Sequence, residues 1–432
     1  MRVRHALVLV AMAATLLELG GSSGRAVPVA AIDAVHSSPQ APRGLPEFSA
    51  RSTLQPHPQG LDLVLEGGGA KGLAYAGAIG ELEAQRIRYR RIAATSAGAL
   101  FALYIAAGYS AAEIRAMITE RMPDGSIIMG SFLVVPEEFS EEVIRSSLAF
   151  SVLDDLHFPE KMNLEFLGIL LKLKSFREAF SLLEFGGLVA GDAYIEWMRH
   201  HLDRGGRNLG DATLAEFHER TGADITMVAA DVDSDAMLIL NHRTAPTLPV
   251  VWAVRMSSSV PVAFRNVLWR PQWGTYLGGD LSGHRIVDGG VASNLPILLL
   301  LADSDSMVSA MGAVPDPARV LAFMLDEHAA VPGLQTLLEA APQRAASAVD
   351  RHWNAALGSA NSLIEALIES QDNFIASQFP TAVCRLASQG FTALQYDLSE
   401  QQVELLVAAA ARSTTACIRQ MPRAVIAAAR SE

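Results

Sequence analysis

Two short segments of this sequence carry residues suited to acyl-transfer chemistry: a glycine-rich run at residues 67–72 and a serine at position 96. The run reads Gly-Gly-Gly-Ala-Lys-Gly, and Ser96 stands within Ala-Thr-Ser-Ala-Gly at residues 94–98. A glycine loop that follows a strand can direct backbone N–H groups at a developing negative charge. A serine flanked by small residues at a strand-to-helix turn can be exposed as a nucleophile. Together the two segments predict half of an acyl-transfer site.

Alternating strand and helix patterns surround both segments. Residues 61–65 and 88–95 have the short apolar pattern of buried strands. Residues 72–86 and 97–107 have small and apolar residues at helical spacing, and Ser110 begins a further helix with a capping box. This order of elements predicts a parallel α/β layer. The glycine run and the serine then lie at the carboxyl ends of adjacent strands, the edge at which such sheets bind ligands.

The remainder of the chain extends this layer and adds helices. We expect further strands at residues 225–232, 237–241, 286–287 and 320–325. Residues 123–205 are interpreted as a helical insertion, which either covers an apolar substrate groove or forms an ordinary packed layer. After about residue 331 the pattern is helical only, with a capping box at Ser399. The predicted fold is α/β, with a mostly parallel central sheet flanked by helices, a helical insertion and a helical C-terminal extension.

Composition limits the classes of function. Half of the 432 residues are hydrophobic and 19% are charged, which provides for a large core. The formal net charge of −12 argues against nucleic acid as a partner and against electrostatic capture by anionic membranes. Attraction to lipid must then be mainly apolar. The two cysteines, Cys384 and Cys417, are too few for a disulfide framework or a thiolate metal site.

The N-terminal segment has the features of an export signal. Basic residues precede the apolar stretch 6–17, which is too short to span a bilayer, and small polar residues follow it. We interpret residues 1–26 as a signal peptide and residues 27–58, rich in Pro, Ser, Ala and Gln, as a flexible spacer. An uncleaved leader on a cytosolic protein is the alternative. Export, to the periplasm or the medium, would allow Cys384 and Cys417 to pair.

Cofactor and metal sites are the other kinds of site to consider. The glycine run also fits the dinucleotide fingerprint, but residues 86–91, Arg-Ile-Arg-Tyr-Arg-Arg, contain no acid to hold a ribose. NAD is therefore disfavoured and NADP stays only a formal option. The three aspartates at positions 231, 233 and 235 lack the glycine and the final glutamate of a calcium loop, so a charged hairpin turn explains them better. We expect neither a cofactor nor a metal.

A nucleophilic serine needs a base. His328 and His352 are the late histidines available for a Ser-His-Asp arrangement, but neither stands in a turn-like context. Asp288 is the better candidate, because a strand pattern delivers it into the turn formed by Gly289 and Gly290. Such a turn frees a carboxylate side chain to point into a cleft.

Three segments in this order resemble the patatin-like phospholipase family. They are Gly-Gly-Gly-Ala-Lys-Gly at 67–72, Thr-Ser-Ala-Gly at 95–98 and Asp-Gly-Gly-Val-Ala-Ser-Asn-Leu-Pro at 288–296. The stretch 256–264 is also similar to the family's Ser-x-x-x-Pro-x-x-Phe segment. The resemblance covers about residues 60–330.

The resemblance implies a serine hydrolase that cleaves acyl esters of lipids, such as a phospholipase, through a dyad without histidine. Ser96 is the implied nucleophile and Asp288 the implied base. The implied oxyanion hole consists of the backbone N–H groups of Gly67, Gly68, Gly69 and Ala70. The implied supporting positions are Lys71, Gly72, Ala94, Gly98, Gly289 and Gly290. The implied partners are a lipid or phospholipid substrate and, transiently, a membrane surface.

The predicted hydrolase domain then spans residues 59–330, and the predicted helical extension spans residues 331–432.

One position departs from the family pattern. The serine elbow usually reads Gly-x-Ser-x-Gly, and this chain has Ala94 at the first position. An added methyl group there would crowd a tight turn in which glycine permits close backbone approach. Because alanine is the smallest substitute, we expect a shifted but functional elbow. A catalytically inactive, lipid-binding relative is the alternative.

Overall fold

The computed structural model describes residues 52–123, 125–132, 139–155, 157, 159–339, 366, 368–393 and 395–430. The predicted signal peptide and most of the predicted spacer lie outside these residues. The chain forms two compact units, one comprising Ala50–Val134 with Val189–Glu432 and the other Val135–Leu188.

The strands and helices follow the alternating order that the sequence predicts. The described strands are β1 (Pro56–Leu65), β2 (Tyr89–Thr95), β3 (Gly187–Val189), β4 (Asp224–Asp231), β5 (Ala236–Leu240), β6 (Val262–Phe264), β7 (Val267–Leu268), β8 (Arg285–Asp288), β9 (Val320–Ala330) and β10 (Val383–Gln389). The described α-helices are α1 (Ala74–Ala84), α2 (Ala97–Ala106), α3 (Ala111–Ile118), α4 (Ile128–Ser131), α5 (Glu141–Arg145), α6 (Leu148–Asp155), α7 (Glu160–Leu170), α8 (Lys174–Phe185), α9 (Asp192–Asp203), α10 (Leu214–Thr221), α11 (Val250–Ser257), α12 (Gly290–Ser293), α13 (Leu298–Leu301), α14 (Asp305–Met311), α15 (Leu334–Glu339), α16 (Glu400–Gln420) and α17 (Arg423–Ala429). Residues 368–378 are also helical.

The larger unit is built on one sheet in the order β10-β9-β1-β2-β4-β8-β7. The strands from β10 to β4 pair in parallel, whereas β8 pairs antiparallel with both β4 and β7. Strand β5 pairs antiparallel with β4. The expected α/β fold with a mostly parallel central sheet is confirmed.

Alternate residues of β1 face two separate apolar cores. Leu61, Leu63 and Leu65 belong to one core, and Val64 belongs to the other. Strands in the middle of a parallel sheet are covered on both faces, which explains why this segment is apolar almost throughout. Burial on both faces also holds the end of β1 in place within the sheet, and the glycine run begins there.

The structure corrects two expectations about secondary structure. The segment 331–432 is not helical only, because β10 adds a parallel edge strand beside β9. Strand β10 has only seven residues between helical segments, and its mixture of buried and exposed positions conceals the strand pattern. Order also begins before residue 59, since β1 starts at Pro56 and the side chain of Leu54 is buried.

The unit Val135–Leu188 is helical, as predicted for this part of the insertion. Helices α5 to α8 account for most of its described residues. Buried side chains on or next to these helices form an apolar core of its own. They are Ile144, Ala149, Leu153, Leu167, Leu170, Leu171, Phe176 and Phe180. The short strand β3 at its end was not anticipated.

A disulfide bond joins Cys384 on β10 to Cys417 on α16, with a Cα–Cα distance of 5.7 Å. The sequence left this pairing open. The bond connects the edge strand to the long helix that follows it, and so fastens the C-terminal part of the larger unit. Among the described helices, none combines the length and the apolar character required to cross a membrane.

Candidate active site

Ser96 occupies a strained turn between β2 and α2. Its φ of 51° and ψ of −119° lie in a region that residues other than glycine rarely adopt. Its N–H donates to Oγ of Ser257 at 2.9 Å, and its carbonyl accepts from the N–H of Ala99 at 2.9 Å. The preceding Thr95 donates from Oγ1 to the carbonyl of Ser293 at 2.9 Å. The turn is therefore held from both sides, which is what a strained nucleophile elbow requires.

Glycine is needed after the serine rather than before it. A Cβ at Gly98 would stand 2.3 Å from the carbonyl oxygen of Leu65, so only glycine lets α2 pack this closely on the end of β1. Ala94 lies within β2, opposite Leu65 and Met227 in the neighbouring strands, and its methyl group is part of the main apolar core. The departure at position 94 thus leaves the elbow in place.

Asp288 ends β8 and is 5% exposed. Its N–H donates to the carbonyl of Ser259 at 2.9 Å, and its Oδ1 accepts from the N–H of Gly290 at 2.7 Å. The Ser96 side chain is close enough to affect the pKa of Asp288, yet Oδ2 accepts no well-formed hydrogen bond from any described residue. Oδ2 is therefore the oxygen available to receive a proton.

Burial dominates the electrostatics of Asp288. Loss of water raises its pKa to about 7, against the lowering effects of the Gly290 hydrogen bond, the nearby Ser96 side chain and the charge of Arg255. Arg255 is itself buried, with Nη2 donating to the carbonyls of Ala190 at 3.0 Å and Arg265 at 3.1 Å. A carboxyl whose pKa lies near neutrality is suited to exchange protons at physiological pH.

The glycine loop offers two free donors rather than four. The N–H of Gly67 donates to the carbonyl of Asn294 at 3.2 Å, and that of Ala70 donates to the carbonyl of Ala393 at 2.8 Å. The N–H groups of Gly68 and Gly69 have no acceptor in the described part of the chain. The predicted oxyanion hole thereby narrows to these two groups.

Two further features shape the loop. Gly69 has a φ of 54°, and a Cβ there would lie 2.0 Å from the carbonyl oxygen of Ala393, so glycine is required. Lys71 is buried and forms an ion pair with Glu327.

One cavity is lined by Ser96, by Asp288 and by the glycine loop. Its apolar lining includes residues of α2, of the segments around α3, α4 and α9, and of β6 and the segment before it. The apolar side chains include Leu100, Phe101, Ile118, Met129, Phe132 and Phe264. Such walls can hold an acyl chain beside Ser96.

His328, one of the two histidines considered as bases, does not join this constellation. The His328 side chain is 78% exposed, with Nε2 3.0 Å from Oε1 of Glu369, and it does not line the cavity. His352 lies outside the described residues. The aspartates near residue 233 lie in the β4–β5 turn, where Asp231 contacts His284 and Asp233 pairs with Arg285, as a charged hairpin turn predicts.

Four buried polar side chains near the site were not anticipated. Ser257 and Asn294 lie inside segments that carry the family resemblance, so the motif itself was the signal that could have identified them. Glu66 directly precedes the glycine run, whereas Asp372 comes from far along the chain and has no local signal.

Sequence comparison decides the family. The patatin-like phospholipase profile matches residues 63–301, more than half of the chain. The chain belongs to the patatin-like phospholipase family. This assignment supports a lipid-hydrolase function.

Individual relatives have sequence identities to this chain of 14% to 31%. The uncharacterized protein YqhO of Bacillus subtilis (strain 168) is 31% identical over 245 residues, which cover 55% of this chain and 66% of YqhO. VipD from Legionella pneumophila is similar in structure with a TM-score of 0.40 and 14% identity, over 88% of this chain and 72% of that chain. The heterodimeric complex ExoU-SpcU from Pseudomonas aeruginosa gives a TM-score of 0.32 and 15% identity, over 93% of this chain and 62% of that chain.

Replacing the buried carboxylate should change stability with a defined pH dependence. In the unfolded chain an aspartate titrates near its ordinary pKa of about 4, whereas burial holds the pKa of Asp288 at about 7. The folded state therefore binds more protons between these pH values, and its stability falls as the pH rises through them. Asp288→Asn should unfold at higher urea concentration than wild type at pH 8 and at nearly the same concentration near pH 4.

The matched control is Asp303→Asn, which changes an exposed aspartate in the same unit and should track wild type at every pH. An Asp288→Asn protein no more stable than wild type at pH 8 would contradict burial as the cause of the raised pKa.

Proposed function

We propose that this protein is a lipid acyl hydrolase of the phospholipase type that acts through Ser96 and Asp288. The observation that carries the proposal is the Ser96 turn, which exposes a hydroxyl in an apolar cavity beside the free Oδ2 of Asp288. Family membership supports the class of substrate, and the apolar walls support an acyl chain as the bound group.

In the first half-reaction, Oγ of Ser96 attacks the ester carbonyl carbon and its proton passes to Oδ2 of Asp288. The carbonyl oxygen becomes an oxyanion, which the N–H groups of Gly68 and Gly69 stabilise. Each well-placed donor of this kind is worth about 10²–10³ in rate. The C–O bond to the alcohol then breaks, and Asp288 returns the proton to the departing alkoxide. The acyl group remains on Ser96 as an ester.

In the second half-reaction, water replaces the alcohol. Asp288, again ionised, accepts a proton from a water molecule that attacks the acyl-enzyme carbonyl. The same two backbone donors stabilise the second oxyanion. Its collapse releases the carboxylic acid and restores the Ser96 hydroxyl with the proton held by Asp288. A pKa near 7 lets one carboxyl act as base and acid in turn.

The chemistry of the cavity also favours a transient contact with a lipid surface. The protein's net charge of −12 works against electrostatic attraction to anionic membranes. Val291 lines the cavity and is 49% exposed, so apolar surface is available where a lipid ester would enter. We therefore assign membrane contact to apolar side chains rather than to basic ones.

Hydrolysis of a chromogenic medium-chain ester tests the dyad. Ser96→Ala and Asp288→Asn should each lower kcat/KM by about 10³-fold or more, because each removes a group that acts on the reacting atoms. His328→Ala, a change on the exposed surface, should stay within about two-fold of wild type. Full activity in either dyad variant would contradict the proposal.

The remaining outcomes identify the alternatives. Loss of activity in His328→Ala would instead favour a Ser-His-Asp esterase. A folded wild-type protein that hydrolyses no ester of any chain length would favour an inactive, lipid-binding relative. Thermal unfolding of each variant provides the control for folding.

We further propose that the protein is exported, with residues 1–26 removed. The Cys384–Cys417 disulfide supports this, because such bonds persist in oxidising compartments. N-terminal sequencing of protein from periplasmic and extracellular fractions should find a new N-terminus near residue 27, with both cysteines blocked to alkylation. An intact Met1 on a cytosolic protein with two free thiols would contradict export.

A further inference from the structure

Glu66 is a buried carboxyl group directly before the glycine loop, and the dyad does not use it. Its side chain is 4% exposed. Oε2 accepts a hydrogen bond from the N–H of Leu325 on β9, and the Glu66 carbonyl accepts from the hydroxyl of Tyr75 at 2.6 Å. A carboxyl buried this deeply requires either a proton or several donors.

Asp372, on the helical segment 368–378, brings a second carboxyl against Glu66. It is 1% exposed, it lines the same cavity as Glu66, and its carboxyl group is close enough to affect the pKa of Glu66. Its Oδ1 accepts from the N–H of Leu295 at 3.0 Å, and its Oδ2 accepts from Nδ2 of Asn294 at 2.8 Å. Asp372 lies beyond residue 301, the last residue of the family match.

Asn294 connects Asp372 to the glycine loop. Its Nδ2 also donates to the carbonyl of Gly67 at 3.3 Å, and its own carbonyl accepts from the N–H of Gly67 at 3.2 Å. Asn294 thus holds the first glycine on both sides. It also directly follows α12, which begins two residues after Asp288, so it joins the loop to the segment that carries the base.

Two carboxyl groups in direct contact share one proton, and the neighbouring donors decide which group carries it. Asp372 receives a donor on each oxygen, from Leu295 and Asn294, whereas Glu66 receives one, from Leu325. A negative charge on Asp372 is therefore stabilised by more hydrogen-bond donors than a negative charge on Glu66. In agreement, burial and Asp372 raise the pKa of Glu66 well above its ordinary value, whereas burial raises the pKa of Asp372 against the lowering effects of Glu66, Asn294 and Leu295.

We propose that Glu66 and Asp372 are positioning residues of the oxyanion hole: protonated Glu66 donates to ionised Asp372, which holds Asn294 against Gly67. The role in catalysis rests on the function proposed above, whereas the hydrogen-bond relay is a claim about the fold of the loop. The chain thereby completes its site with a residue from the segment that follows the family-matched region.

The relay has a direct consequence for the two free donors. Gly68 and Gly69 follow Gly67, so a shift of Gly67 moves both N–H groups relative to the carbon that Ser96 attacks. Oxyanion donors act only within a narrow range of distances, and small displacements are costly in rate. Losing the relay should therefore lower kcat more than it changes substrate affinity.

Two isosteric variants separate the donor from the acceptor. Glu66→Gln keeps a donor of the same size facing Asp372, so kcat should stay within about three-fold of wild type. Asp372→Asn removes the anionic acceptor, so kcat should fall about 10- to 100-fold with KM within about two-fold. Asn294→Ala breaks the relay one step later and should reproduce the Asp372→Asn result, which keeps the test usable if Asp372→Asn folds poorly.

Hydrogen–deuterium exchange of peptides covering residues 66–73 supplies a readout that needs no activity. The Gly67 N–H should exchange at least about ten-fold faster in Asp372→Asn and Asn294→Ala than in wild type, because its acceptor is no longer held. Glu66→Gln should match wild type.

The outcomes separate this proposal from the proposed function. Equal ester hydrolysis by wild type and Ser96→Ala would refute the dyad, while the exchange result would still decide the relay. Wild-type exchange and wild-type kcat in Asp372→Asn would overturn the relay. So would a Glu66→Gln variant as impaired as Asp372→Asn, because the proton would then not belong to Glu66.

Discussion

The left-handed backbone of Ser96 is the constraint on which the rest of the site depends. A non-glycine residue adopts such angles only where its surroundings over-determine them. Here the surroundings are the end of β2, the close approach of Gly98 to Leu65, and hydrogen bonds from Ser96 to Ser257 and from Thr95 to Ser293. The last two contacts come from the segments before and after Asp288, so the strained backbone of Ser96 and the position of Asp288 are held by the same contacts.

The second constraint is the cost of burying acidic groups. Asp288, Glu66 and Asp372 all lie in the interior near the cavity, and burial raises the pKa of each. The two carboxyls that face each other reduce this cost by sharing a proton and by accepting backbone and amide donors. Asp288 retains an oxygen without a well-formed hydrogen bond. An unsatisfied oxygen disfavours stability but is what a proton acceptor requires.

Local patterns predicted the parts of this structure that depend on local sequence. The glycine run and the serine each follow an apolar strand pattern, so the parallel sheet brings the ends of β1 and β2 together. Asp288 also follows such a pattern, but it arrives on the antiparallel strand β8, opposite Ala229 of β4. Features that depend on distant partners escaped prediction. Only the folded chain places carbonyls of Asn294 and Ala393 on two of the four expected donors, and only tertiary packing pairs Glu66 with Asp372. The close backbone contact at the elbow also depends on folding, because it occurs at Gly98, where a Cβ would meet the carbonyl of Leu65.

The central claim is that Asp288 activates Ser96, and the rate of fluorophosphonate labelling measures it most directly. Mass spectrometry should place the label on Ser96, and the labelling rate should rise from pH 5 to pH 8 with a midpoint near 7, as Asp288 loses its proton. The Asp288→Asn protein should label far more slowly at every pH. Labelling at a different residue, or Ser96 labelling that is equally fast without the Asp288 carboxylate, would contradict this account.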